Sequence, residues 1–215
     1  MAVATKICGV NSLAAAHAVA EGGADFVGFV FYPPSPRYVT PQAAHKLAAA
    51  VAADAASVGV FVNPTDAQLD EALGLVPLTM IQLHGRESVE RVAEVRKRAG
   101  VPIMKAIPIS QAADVNAAVE YEDTADWLLF DARPPLGRIG ALPGGNAITF
   151  DWSLLYGRTW RRPWMLSGGL NAGNVGEAVA ASGALTVDVS SGVEDSPGHK
   201  NPERIRVFLD AVRAL

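Results

Sequence analysis

Six short stretches of this 215-residue sequence bear groups able to do chemistry, and each ends or follows a short strand-like run. Lys-Ile-Cys-Gly at 6–9 offers a thiol, Gln-Leu-His-Gly at 82–85 an imidazole, and Leu-Leu-Phe-Asp-Ala at 128–132 a carboxyl group. Tyr-Pro-Pro-Ser-Pro-Arg-Tyr at 32–38 offers a guanidinium. Leu-Ser-Gly-Gly-Leu at 166–170 and Asp-Val-Ser-Ser-Gly-Val-Glu at 188–194 are rich in glycine and serine. A carboxyl group can pass protons to a substrate. A planar guanidinium suits another carboxylate. Gly168, Gly169 and Gly192 let backbone N–H groups approach an anion closely, and Ser190 and Ser191 add hydroxyl donors. Blander readings stand beside these. Cys8, the single cysteine, reads first as inert packing. Arg37 reads as a solvated charge, and His84 equally as a structural donor or a substrate contact. Asp131, closing an apolar strand, is equally an acid or a structural carboxylate. His17, His45 and His199 fit helix or loop surfaces and receive no role.

Something must bring these groups together. Strand-like runs fall at Thr5–Cys8, Phe26–Phe31, Ser57–Val62, Met80–His84, Ile103–Ile107, Trp127–Asp131, Trp164–Ser167 and Thr186–Val189. Helix-like runs lie between them, near Leu13–Glu21, Pro41–Ala52, Asp66–Leu73, Ser88–Arg98, Ala112–Tyr121, Asn174–Ser182 and Pro202–Ala214, with only a short one at 151–155. Thr40-Pro41 and Asn201-Pro202 read as N-caps with proline at the first helical position. Gly22-Gly23 and Gly100 read as helix stops. Eight strands alternating with helices predict an α/β fold, a single (β/α)8 TIM barrel spanning residues 1–215. A doubly wound open sheet uses the same alternation. The longest irregular stretch, Arg133–Thr149, follows a strand, where a barrel carries an active-site loop.

In such a barrel the chemistry gathers at the C-terminal ends of the strands. The six stretches then converge on one face, and the loops after strands 7 and 8 form the expected phosphate site. Strand alternation makes Lys6 and Cys8 share a face of their strand, as do Gln82 and His84, and Leu129 and Asp131. Lys6, Lys105 and Asp188 are either a buried ion network filling the barrel or direct participants, since buried charges are normally paired.

Composition excludes other classes. A net charge of −4 leaves no basic footprint for nucleic acid or anionic lipid. One cysteine precludes an internal disulfide, and no apolar window has the length of a membrane span. A cytoplasmic protein without a secretory signal is expected.

Taken in order, further stretches join the six: Gly-Phe-Val-Phe-Tyr-Pro-Pro-Ser-Pro-Arg-Tyr at 28–38, Gly-Val-Phe-Val-Asn at 59–63, Ile-Gln-Leu-His-Gly at 81–85 and Thr-Phe-Asp-Trp at 149–152. Together these resemble the phosphoribosylanthranilate isomerases of tryptophan biosynthesis over nearly the whole chain. One departure is visible: Val10-Asn11 stand where the family usually continues Ile-Thr.

The resemblance implies an Amadori rearrangement of N-(5-phosphoribosyl)anthranilate to 1-(2-carboxyphenylamino)-1-deoxyribulose 5-phosphate, without metal or organic cofactor. It implies Cys8 as the general base and Asp131 as the general acid. It implies Arg37 as receiver of the anthranilate carboxylate, with His84 and Asp188 as further substrate contacts. A thiol near its reference value of ~8.5 is mostly protonated at neutral pH, so Lys6 or a cationic substrate is expected to lower it. A free aspartate is ionised above ~3.9, so the acid role demands burial or a neighbouring carboxylate. The expected partner is a small phosphorylated substrate, with a monomer favoured over a homodimer. Two other readings are weaker. A metal-dependent epimerase needs paired His and Asp ligands at several strand ends, where only His84 is available. A non-catalytic phosphate-binding barrel has no need of Cys8 and Asp131 together.

Overall fold

Parallel strands covered on both faces require near-continuous apolar runs, and the interleaved helices supply the outer cover. The computed structural model, which describes residues 2–51, 55–134 and 144–215, carries this alternation through. The strands are β1 (Ala4–Cys8), β2 (Phe26–Val30), β3 (Ala56–Phe61), β4 (Met80–Leu83), β5 (Ile103–Ile109), β6 (Trp127–Ala132), β7 (Trp164–Leu166) and β8 (Thr186–Val189). They close in sequence order into a parallel barrel, so the open-sheet alternative falls. Around it run α1 (Leu13–Glu21), α2 (Pro41–Val51), α3 (Asp66–Leu75), α4 (Val89–Ala99), α5 (Ala112–Ala117), α6 (Val175–Ser182) and α7 (Pro202–Arg213). No helix among the described residues is long and apolar enough to cross a membrane.

Helix ends follow local chemistry. Ser88 accepts from the Arg91 N–H to start α4, which Gly100 ends at φ 67°. Asn201 caps α7 ahead of Pro202. Thr65 and Gln68 form a reciprocal capping box on α3.

Three features refine or depart from expectation. The stretch at 151–155 forms only a 3₁₀ turn, Trp152–Leu155, capped by Asp151 and followed by Gly157 at φ 69°. The fifth helix tightens into a 3₁₀ turn at Ala118–Tyr121. After β8 comes an unexpected hairpin, β9 (Glu194–Ser196) and β10 (His199–Lys200). Pro197-Gly198 turns it, with Gly198 at φ 83°, the Pro-Gly pattern of a type II turn. The expected ends at Ala52 and most of the loop 133–149 lie outside the described residues.

The barrel interior is layered. Phe26 and Trp127 meet edge to face at 5.8 Å near the N-terminal end, above which Val58, Met80, Met104, Ala106, Leu129 and Met165 pack together. Cys8, Val30 and Val60 form the layer beneath the opposite mouth. Alternate residues, such as Ile7, Leu83, Phe130 and Val187, point outward into the core shared with the helices. That parity aims Lys6, Cys8, Gln82, His84, Asp131 and Asp188 inward. The apolar plug closes one end, so the polar side chains can meet only at the other.

Candidate active site

β1 and β8 are neighbours, with Lys6 opposite Asp188 in register. Lys6 is fully buried, and its Nζ donates to Asp188 Oδ1 at 2.8 Å. The Ser167 hydroxyl donates to Asp188 Oδ2 at 3.0 Å. Burial opposes the Lys6 charge, but Asp188 and Cys8 outweigh it and hold the ammonium above the ordinary lysine range. Cys8 lies one layer above, at the rim of the mouth. Gly28 faces it across the sheet, and a Cβ there would stand 3.0 Å from the sulfur. Burial pushes the thiol up and Asp188 adds to this; Lys6 and Lys200 pull it down without prevailing. Lys6 lowers the thiol as expected, but desolvation exceeds the pull of a cation already shared with Asp188, so the net shift is upward.

On the other side of the mouth, Asp131 is buried, and its Oδ1 accepts the Ala132 N–H at 2.9 Å. His84 Nε2 lies 3.1 Å from Asp131 Oδ2, and His84 Nδ1 lies 2.7 Å from Gln82 Nε2. Gly144 presses against this pair, since a Cβ on it would lie 2.6 Å from both Asp131 Oδ2 and His84 Nε2.

Arg37 is not a solvated charge. A single parallel bridge, Val30 to Tyr38, folds its loop back onto β2 and leaves it 5% exposed. Its side chain crosses Gly9, where any Cβ would meet Arg37 Cδ at 2.7 Å. Nε and Nη2 donate to Glu194 Oε1 and Oε2 at 2.7 and 2.8 Å.

The glycine-rich loops meet as expected, with different individual roles. Gly168 and Gly169 adopt φ of 92° and 65°, which L side chains rarely adopt. Both line the cleft, as do Ser190 and Ser191. The Ser190 hydroxyl, however, donates to the Cys8 carbonyl at 3.1 Å. Gly192 lies beside the cleft wall, where a Cβ would come within 1.9 Å of the Leu170 carbonyl oxygen; it lets the two loops touch.

Cys8, Arg37, His84, Asp131 and Asp188 line one cleft with these loops. Lys105 is the exception among the charged candidates. It points out of the barrel and pairs with Glu87 at 2.8 Å in the layer beneath the helices. Sequence reasoning also assigned no role to Glu194, Lys200, Gln82 and Ser167. Glu194 sat within a motif already noted, whereas no local signal marked Lys200.

A family model described as N-(5'-phosphoribosyl)anthranilate (PRA) isomerase matches residues 5–211. A protein named N-(5'-phosphoribosyl)anthranilate isomerase from Rhodospirillum centenum is 55% identical over 215 residues, covering 100% of both chains. Its namesake from Paramagnetospirillum magneticum is 53% identical, covering 99% of this chain and 98% of its own. Among solved structures, phosphoribosyl anthranilate isomerase from Thermotoga maritima superposes with a TM-score of 0.86 at 38% identity, covering 99% of this chain and 100% of its own. Another of that name, in complex with reduced 1-(o-carboxyphenylamino)-1-deoxyribulose 5-phosphate, gives a TM-score of 0.84 at 36% identity with the same coverage. The Thermotoga protein is described as dimeric. With the barrel, the cleft and these likenesses in agreement, the chain belongs to the N-(5'-phosphoribosyl)anthranilate isomerase family, isomerases of tryptophan biosynthesis.

Proposed function

We propose that Asp131 and Cys8 carry the two proton transfers of the Amadori rearrangement of N-(5-phosphoribosyl)anthranilate in this cleft. The observation that supports this reading most is that thiol and carboxyl group line the same mouth, with Arg37 and the loops after β7 and β8 between and beside them. Asp131 gives its proton to the furanose oxygen as the C1–O bond breaks, and the anilino nitrogen shares its electrons with C1 as an iminium. The Cys8 thiolate then takes the proton from C2, and its electron pair forms the C1–C2 double bond of an enolamine. Proton return to C1 and loss of the C2 hydroxyl proton give the ketone. C1 is reduced, C2 is oxidised, and no external electron carrier enters.

Electrostatics support the order of steps. In the substrate-free cleft burial favours the neutral thiol. Ring opening creates a cation beside it, which favours the thiolate when the base is needed. Arg37 receives the anthranilate carboxylate, and Gly168, Gly169, Ser190, Ser191 and Gly192 shape the phosphate end. His84 and Asp188 contact the sugar from opposite sides. Asp131→Asn tests the reading: kcat falls by about 10²–10⁴-fold, the usual contribution of a general acid. Binding of the reduced product, measured by calorimetry, stays near that of the parent. A variant with near-parent kcat removes Asp131 from the role.

A further inference from the structure

The hairpin after β8 brings a buried three-charge cluster against the cleft. Glu194 and Lys200 pair at 2.6 Å within it, with Lys200 side-chain exposure at 0%. Glu194 also holds Arg37 through two hydrogen bonds, on Nε and Nη2. Lys200 Nζ reaches back to the Ser190 carbonyl at 2.9 Å, tying the hairpin to the loop whose hydroxyl bonds the Cys8 carbonyl.

An arginine presents two bidentate edges, one of Nε with an Nη and one of the two Nη atoms. Glu194 occupies the first. Nη1 makes no hydrogen bond among the described residues, and the second hydrogen-bonding partner of Nη2 is the Gly145 carbonyl at 3.2 Å. The Glu194 fork therefore fixes the guanidinium plane, with the Gly145 carbonyl holding the Nη2 hydrogen of the terminal edge and Nη1 left for a ligand oxygen. Arg37 and Lys200 together outweigh burial and hold Glu194 below the usual carboxylate range, while burial outweighs Glu194 at Lys200 and lowers the ammonium.

We propose that Glu194, backed by Lys200, is a positioning residue that makes Arg37 selective for a ligand carrying an aryl carboxylate. The proposal rests on Arg37 being the carboxylate receiver. Glu194 touches no substrate; it fixes the plane and orientation of the Arg37 guanidinium.

The test compares two probes by calorimetry on the full-length chain. One is the reduced product; the other is the same molecule with phenyl in place of 2-carboxyphenyl. Both share the phosphate and the polyol, so general damage to the barrel weakens both alike, and only the ratio of their dissociation constants reads the carboxylate contact. In the parent the carboxylated probe binds more tightly by a large factor, and Arg37→Ala abolishes the preference. Glu194→Gln lowers it by about tenfold, a mispositioned rather than absent fork. Glu194→Asp keeps the charge but withdraws the fork by one methylene, and the ratio falls there too, which also serves if the Gln variant does not fold. A large parental ratio that survives Glu194→Gln or Glu194→Asp overturns the positioning role while leaving Arg37 as receiver. A parental ratio near one removes Arg37 from that role, and the present proposal with it.

Discussion

Two buried lysine–carboxylate pairs serve the same barrel in different ways. Lys105 and Glu87 lie between sheet and helices with their bonding capacity spent. Lys105 Nζ donates to Glu87 at 2.8 Å and to the carbonyls of Gly85 and Leu83 at 2.9 and 3.3 Å. Glu87 also accepts from the N–H groups of Asn63 and Gly85. This pair stitches the turn after β4, which carries His84, to its neighbours. Lys6 and Asp188 lie inside the barrel beneath the cleft, and the side chain above them is a thiol that can change charge. Depth of burial is alike in the two pairs; the chemical difference is that the titrating neighbour of Lys6 and Asp188 is a thiol lining the cleft, whereas that of Lys105 and Glu87, Tyr121, is not among the cleft's lining residues. A buried ion pair alone is weak evidence of chemistry.

The comparison yields measurable differences. The largest is in stability. Glu87→Gln strands the Lys105 ammonium and costs about 3–5 kcal/mol in chemical denaturation, as breaking a buried pair does. Asp188→Asn strands Lys6 and incurs a similar cost. Turnover separates the two. Molecules of Glu87→Gln that remain folded keep a kcat near the parent's, whereas those of Asp188→Asn lose activity. Equal activity loss in both would erase the distinction.

A smaller effect appears in the pH profile. Only deprotonated Cys8 is a base, and its thiol is pushed up by burial and by Asp188. The rise of kcat/KM with pH therefore extends above the ordinary thiol range. Asp188→Asn removes one of the raising influences and moves that limb to lower pH; Lys6→Met removes a lowering influence and moves it higher. Glu87→Gln leaves it in place. A limb that ignores both Lys6 and Asp188 belongs to some other group.

These contrasts also mark what the residues alone could reveal. The barrel was legible because each βα unit carries its own pattern, and the mouth because reactive groups end apolar runs. Lys105 was ambiguous because β5 is apolar on both faces, so alternation gives two parities without saying which is inward. Arg37 was recognised, but its partner Glu194 sits 157 residues away, and only the closed barrel brings the loop after β2 against the hairpin. Pro197-Gly198 could have announced that hairpin. Nothing local marks Lys200, whose burial depends on three separate segments. The net shift of the thiol was not legible because adjacency to a lysine is visible in sequence, whereas the desolvation opposing it and the aspartate sharing that lysine are properties of the fold.

The most direct measurement is single-turnover and steady-state kinetics of Cys8→Ala, with the reduced product's affinity as a control for an intact cleft. Loss of the C2 base lowers kcat by about 10²–10⁴-fold while that affinity stays near the parent's. A folded variant that turns over at the parental rate would contradict the assignment of the thiol.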